Sequence, residues 1–229
     1  MPTRRRDAIL SDDGRTTVRV QEFTPDESRR AGLTTLWRMS TTAAHGHQPT
    51  GAAGPLLDLA AVLDSNGIPV ELFTGPAVRE AVAGRRGRET SVDDILDGIA
   101  CLRRFSLARL TDGPRRVLRV HQLLQRTVRE GDPARCLASA QTAADALEAF
   151  WPDDEHDRGL GQLLRVNVDA VWGAHPDAMW GGNLHQVVFR AGNSFYRDGL
   201  FAEAVVYWTD LRREAESRLG PDYQDTLNI

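Results

Sequence analysis

The sequence predicts a mainly α-helical chain carrying a few short strands. Three observations lead there. Apolar residues recur at helical spacing in the C-terminal half, as at Leu137, Ala140, Ala144, Leu147 and Phe150. Helix ends are punctuated by capping and breaking residues: Ser91 ahead of Asp93 and Asp94, Gly199, and Gly220-Pro221. Strand-type alternation is confined to three short stretches, Thr17 to Phe23, Ser106 to Leu110 and Val117 to Val120.

Composition bounds the chemistry. A chain of 229 residues, 41% hydrophobic and 26% charged, holds one or two globular domains with a proper core. A net charge of -4 gives no global attraction to nucleic acid or anionic membrane. All 28 basic residues are arginine. Beside abundant Ala and Gly this looks like a GC-rich coding bias, and it removes every lysine nucleophile, Schiff base and phosphate-binding lysine. Cys101 and Cys136 lie in apolar helical segments and read as buried free thiols. No apolar run approaches the ~18 residues of a membrane span, and Arg4-Arg5-Arg6 is followed by no apolar signal segment, so a cytoplasmic protein is expected.

Taken in order, residues 1–30 hold the strand Thr17 to Phe23 and then Thr24-Pro25-Asp26-Glu27, a capping box with proline at the first helical position. A lone strand needs a partner, so this segment must pair outside itself, be covered by helices, or stay loose. Residues 31–53 read as a helix over Leu33, Leu36, Trp37 and Met39, dissolving into a Gly/Pro-rich linker in which His45 and His47 read as solvated loop residues rather than metal ligands.

Residues 54–132 form the next unit. Helices are expected over Pro55 to Leu63, Pro76 to Val82 and Ser91 to Phe105, with Asp64 to Pro69 as a turn. The strands Ser106 to Leu110 and Val117 to Val120 are joined by Thr111-Asp112-Gly113-Pro114, and a last helix runs from His121 to about Arg129. Three helices, a hairpin and a helix is a winged-helix order. Residues 133–229 return to helix: Ala134 to Phe150, stopped by Trp151-Pro152, then Leu160 to Trp172, a loop from Gly173 to Gly182, and a final pair over 184–219. In that pair Gly192, Phe195, Gly199, Phe201, Ala204 and Trp208 supply the small/large alternation of a tetratricopeptide-type hairpin: the small residues let two helices approach and Trp208 fills the gap. Such a unit buries its apolar face against neighbours, so Trp208, Leu211 and Leu219 are expected to form an open docking or self-association surface.

Three phrases carry a family resemblance: LLDLAAVLDSNGIPVELFT at Leu56 to Thr74, LRVHQLLQRTVRE at Leu118 to Glu130, and RLGPDYQDTL at Arg218 to Leu227. From Leu36 onward the chain resembles the C-terminal part of bacterial STAND (NB-ARC-like) signalling NTPases, a winged helix followed by tetratricopeptide repeats. Residues 1–30 resemble the end of that family's nucleotide-binding domain. The resemblance implies a truncated relative without the NTPase core, since no lysine-bearing phosphate loop exists here. It also implies nucleotide-sensing positions at His121 and at Arg4 or Arg5, although Gln122 replaces the family's acidic neighbour, and the plain alternative for His121 is a helix cap satisfied by local backbone.

These readings favour a non-enzymatic protein-interaction or regulatory module without cofactor or metal, docking a protein partner or itself through the repeat end. Tyr196, Arg197, Tyr207, Arg212 and Arg213 are candidates for its exposed face. A nucleic-acid-binding regulator is the alternative: Asp93, Asp94 and Asp97 on the candidate recognition helix oppose it, whereas Arg103, Arg104, Arg115 and Arg116 favour it. A fragment sensing nucleotide with an NTPase domain in trans is the second alternative. Enzymatic chemistry has only Asp153, Asp154, Glu155 and His156, which read as a solvated acidic loop, and Gly161, Gly181 and Gly182 form no phosphate fingerprint.

Overall fold

In the computed structural model the described residues are 4–10, 16–22, 44, 51–154, 156–181, 183–222, 226 and 229. They build two strands, β1 (Arg4–Leu10) and β2 (Thr16–Glu22), followed by a mainly helical body. The body comprises α1 (Ala53–Val62), β3 (Ile68–Pro69), α2 (Val70–Phe73), α3 (Pro76–Arg86) and α4 (Val92–Arg104), then β4 (Arg109–Thr111), β5 (Val117–Arg119) and α5 (Gln122–Gly131). Four longer helices complete it: α6 (Pro133–Phe150), α7 (Arg158–Ala174), α8 (Gln186–Arg197) and α9 (Phe201–Leu219), with a 3-10 turn at Pro176–Met179. Among the described residues no helix is long and apolar enough to cross a membrane.

The strand near the N-terminus finds its partner within its own segment. Thr16–Glu22 pairs antiparallel with Arg4–Leu10, Arg4 opposite Glu22 and Arg5 opposite Gln21. Charge had obscured β1: Arg4, Arg5, Arg6 and Asp7 leave only Ala8, Ile9 and Leu10 as apolar signal. The capping box at Thr24 to Glu27, the helix read over 31–47 apart from Ala44, which is helical and buried, and His45 and His47 lie outside the described residues.

Helix α1 is the centre of the body. Its apolar residues run round the whole helix, so it packs on α4, α5 and α6 at once. Its one charged residue, Asp58, is 12% exposed and takes Arg85 at 2.6 Å. Gly98 brings α4 against it, since a Cβ there would meet Leu56 Cδ1 at 2.6 Å. The C-terminal carbonyls of α1 are capped from α5: Gln125 Nε2, buried, donates to Ala60 O at 2.8 Å and Leu63 O at 2.9 Å, and Arg129 donates to Ala61 O. The phrase HQLLQRTVRE is thereby explained as a capping device.

The three expected helices, the hairpin and the last helix are present, with corrections, the first being that a short helix the sequence did not indicate, α2, stands between the first and second of them. The turn read from Asp64 to Pro69 ends in β3, which pairs with β5 and gives a three-stranded sheet of order β3-β5-β4. The first hairpin strand begins at Arg109 rather than Ser106, because α4 closes through residues 105–107. Ser106 N–H donates to Arg103 O and Leu107 N–H to Leu102 O, with Ser106 at φ 58°. That is a Schellman closure with serine in the left-handed position where glycine is usual. Helix α3 also runs past Val82 to Arg86, ended by Gly87.

The segment read as a loop from Gly173 to Gly182 contains the 3-10 turn, which buries Ala178 and Met179 beneath α6 and α7. Cys101 and Cys136 are buried free thiols, as the sequence indicates, and burial raises both thiol pKa values. One continuous core runs from α1 through α9.

Candidate functional site

The final helix pair is built around one glycine and one tryptophan. A Cβ on Gly192 would overlap the Trp208 ring, so α8 and α9 approach only because that position has no side chain. Trp208 then packs between Phe189, at a centroid distance of 6.1 Å, and Tyr207, at 5.5 Å. Phe195 lies 5.5 Å from Tyr207. Gly199, at φ 76°, closes α8: its N–H donates to Tyr196 O and Leu200 N–H donates to Phe195 O. Ala204 is buried, as its small size at that spacing suggests.

Phe201 departs from the expected interior set. It is 57% exposed, with Tyr196 against it edge-on at 5.2 Å. The expected docking residues are also redistributed. Leu211 is buried, Trp208 is half-covered by the aromatic ladder, and Leu219 is half-buried, with Thr226 buried nearby in sequence and bonded to Gly220 O. Tyr207 is no surface residue either: its hydroxyl donates to Val188 O at 2.8 Å, and burial followed by the Asp169 charge pushes its pKa up. Arg212 and Arg213 are exposed and paired along α9 with Glu216 and Asp210, and Arg197 donates to Asp153 O.

The exposed apolar surface lies one helix face away. Tyr196, Phe201, Val205 and Val206 are 57–66% exposed. Val206 also lines a cavity of about 620 Å³ between α7 and α9, whose apolar walls include Trp172, Phe195 and Leu211. Its charged lining is wholly acidic: Asp169, Glu203, Asp210 and Glu214. The apolar surroundings raise the Asp169 pKa, with Arg165 pulling the other way. Beneath this groove Arg165, 5% exposed, pairs with Asp198 at 2.8 Å, donates to Ser194 Oγ and stacks 4.7 Å above Phe195. This buried pair fixes the α8–α9 turn to α7.

His121 opens α5, and its Nδ1 accepts from Leu123 N–H at 3.2 Å. His185 repeats the arrangement at α8, accepting from Val187 N–H at 3.2 Å. The two sites share a His-Gln-apolar-apolar sequence, 121–124 and 185–188, so the capping role is written into the local sequence. With Nδ1 accepting, the His185 proton sits on Nε2 and points to Asp145 at 3.1 Å. Arg4 and Arg5 lie in β1, well before α5 in the chain. The acidic loop holds α8, Asp153 pairing with Arg190 at 3.4 Å. Asp94 turns to Arg86 at 3.1 Å and to Ser91, leaving Asp93 and Asp97 exposed on α4.

Sequence reading missed Gln125, Arg129, Arg165 and Asn167. Asn167, fully buried, accepts from Asp64 N–H at 3.0 Å and donates to Gly67 O at 2.9 Å and Leu163 O at 2.8 Å, clamping the turn before β3. Its signal was a polar residue at the core phase of α7, beside Leu164, Val168 and Val171. Among the described residues no group of three or more His, Cys, Asp or Glu side chains is placed to hold a metal ion. Comparison with known proteins finds no family model, no curated protein and no solved structure that matches this chain.

Proposed function

We propose that the chain is a non-enzymatic protein-interaction module of the winged-helix plus tetratricopeptide kind, related to the C-terminal part of STAND-type signalling NTPases. The observation that carries this is the exposed face of Phe201, Val205 and Val206 running into the acidic-rimmed groove between α7 and α9. Large apolar side chains held in water beside an apolar cavity mark a surface for another molecule. Of the four acids on its rim, Asp210 pairs with Arg213 and Glu214 with Arg218, and the remaining two, Asp169 and Glu203, favour a partner whose apolar residues are flanked by arginine or lysine. The Gly192–Trp208 contact and the order of elements support the repeat and winged-helix readings.

The test compares full-length chain with Val205→Asp/Val206→Asp in affinity capture, thermal melting serving as a folding control. A protein retained by the parent chain and lost from the equally stable variant is the expected result. Identical retention by both overturns the reading.

A further inference from the structure

Arginines on most of this molecule find an acceptor. Arg85 and Arg135 reach Asp58, Arg86 and Arg88 reach Asp94, Arg126 Glu130, Arg165 Asp198, Arg190 Asp153 and Arg218 Glu214. Arg79 and Arg158 apart, the arginines of the body whose side chains make no ion pair or hydrogen bond among the described residues fall in one stretch: Arg103, Arg104, Arg109, Arg116 and Arg119. All five are exposed.

The fold sets two of them side by side and places the others within a few residues of that pair along the chain. Arg103 and Arg104 end α4, and the closure at Ser106 turns the chain at once into β4. Arg109 and Arg119 are register partners across β4 and β5, opposite Leu110 and Leu118, which are half-buried and buried. Two like charges directly opposed on an antiparallel pair destabilise it. In a chain where acids neutralise so many arginines, this pair stands on the hairpin with neither side chain in an ion pair. Nearby acids do not cancel it: Asp157 is taken by Arg115 at 3.3 Å, and Asp112 in the hairpin turn is a single charge.

We infer that this arginine edge binds the phosphate backbone of duplex nucleic acid, without reading base sequence. Guanidinium groups bind phosphate oxygens bidentately. A membrane surface fits less well, because peripheral binding pairs basic charge with inserted apolar side chains. None of the large exposed apolar residues lies between Arg103 and Arg119. Single strands need exposed aromatic platforms, and Phe105 in this stretch is half-buried. Base readout by α4 is opposed by Asp93 and Asp97 on its exposed side. This surface is separate from the acidic groove and does not depend on it.

The test is anisotropy titration of the full chain against a labelled random-sequence DNA duplex over a salt series, with phosphatidylserine vesicles as the second arm. Each phosphate contact contributes about 0.9 to the slope of log affinity against log salt, so five arginines give a slope of at most about 4.5. The variant Arg109→Gln/Arg119→Gln is expected to reduce that slope by about 2, with a melting midpoint equal to or above the parent's. The proposal is overturned by any of four results. These are no duplex binding at low salt, a slope unchanged in the double variant, a lowered melting midpoint that marks the pair as structural, or vesicle binding equal to or stronger than duplex binding.

Discussion

At the scale of single residues, the most constrained position is Gly192. Its missing Cβ is the space the Trp208 ring occupies, and a ring packed between Phe189 and Tyr207 leaves no cheap relief. Gly192→Ala is expected to cost ~1–3 kcal/mol by overpacking, despite the better helix propensity of alanine. Urea melts check this, and a cost below ~0.5 kcal/mol would show that the ring moves aside easily. Asp94 makes a different kind of contribution. Hydrogen bonds from buried Arg86 and the Ser91 amide lower its pKa from 3.8 to about 2. Its folded-state pKa lies below its unfolded value, so the contribution is present above about pH 4 and lost as pH falls toward 2. Solvent around a carboxylate 24% exposed limits it to about 1 kcal/mol. The stability gap between the parent and Asp94→Asn is therefore expected at pH 7 and to shrink below pH 4; a gap independent of pH would remove the carboxylate charge from the explanation.

Among elements, the α8–α9 turn is held by chemistry invisible in its own sequence. Arg165 comes from α7 and meets Asp198 and Ser194 some thirty residues later, where both charges are buried. Buried pairs are poor sources of net stability, yet removing one partner strands the other charge. Arg165→Met alone is expected to cost ~3–5 kcal/mol, and Arg165→Met/Asp198→Asn less than that. Chemical denaturation of the three proteins decides it, and a double variant at least as unstable as the single one would show that the pair's charges are not what matters. Helix ends were more legible. Ser91 with Asp94 and Gly199 cap where the sequence indicates, whereas Asp132 and Asp157 cap α6 and α7 slightly ahead of the starts read at Ala134 and Leu160. The strands were less so: three of the seven residues of β1 are arginine, and β3 is two residues paired with β5.

Over the whole molecule, two surfaces of opposite charge emerge from a chain of net charge -4. One is the arginine edge of α4, β4 and β5; the other is the acidic, apolar groove of α7 and α9. Asn167 and Gln125 tie the parts between them, each satisfying backbone groups about a hundred and about sixty residues away. Neither surface is a property of composition, because residues of both kinds are scattered through the sequence.

By itself the sequence determined the helical character, most helix ends, the buried cysteines and the Gly192–Trp208 contact. These depend on periodicity, caps and spacing along one or two helices, which act over short chain distances. The tertiary structure alone decided which arginines are neutralised, which of the residues from Phe201 to Leu211 face water, and which buried polar side chains are satisfied. Those outcomes depend on what a distant segment places opposite each group, and one sequence read locally contains no term for that.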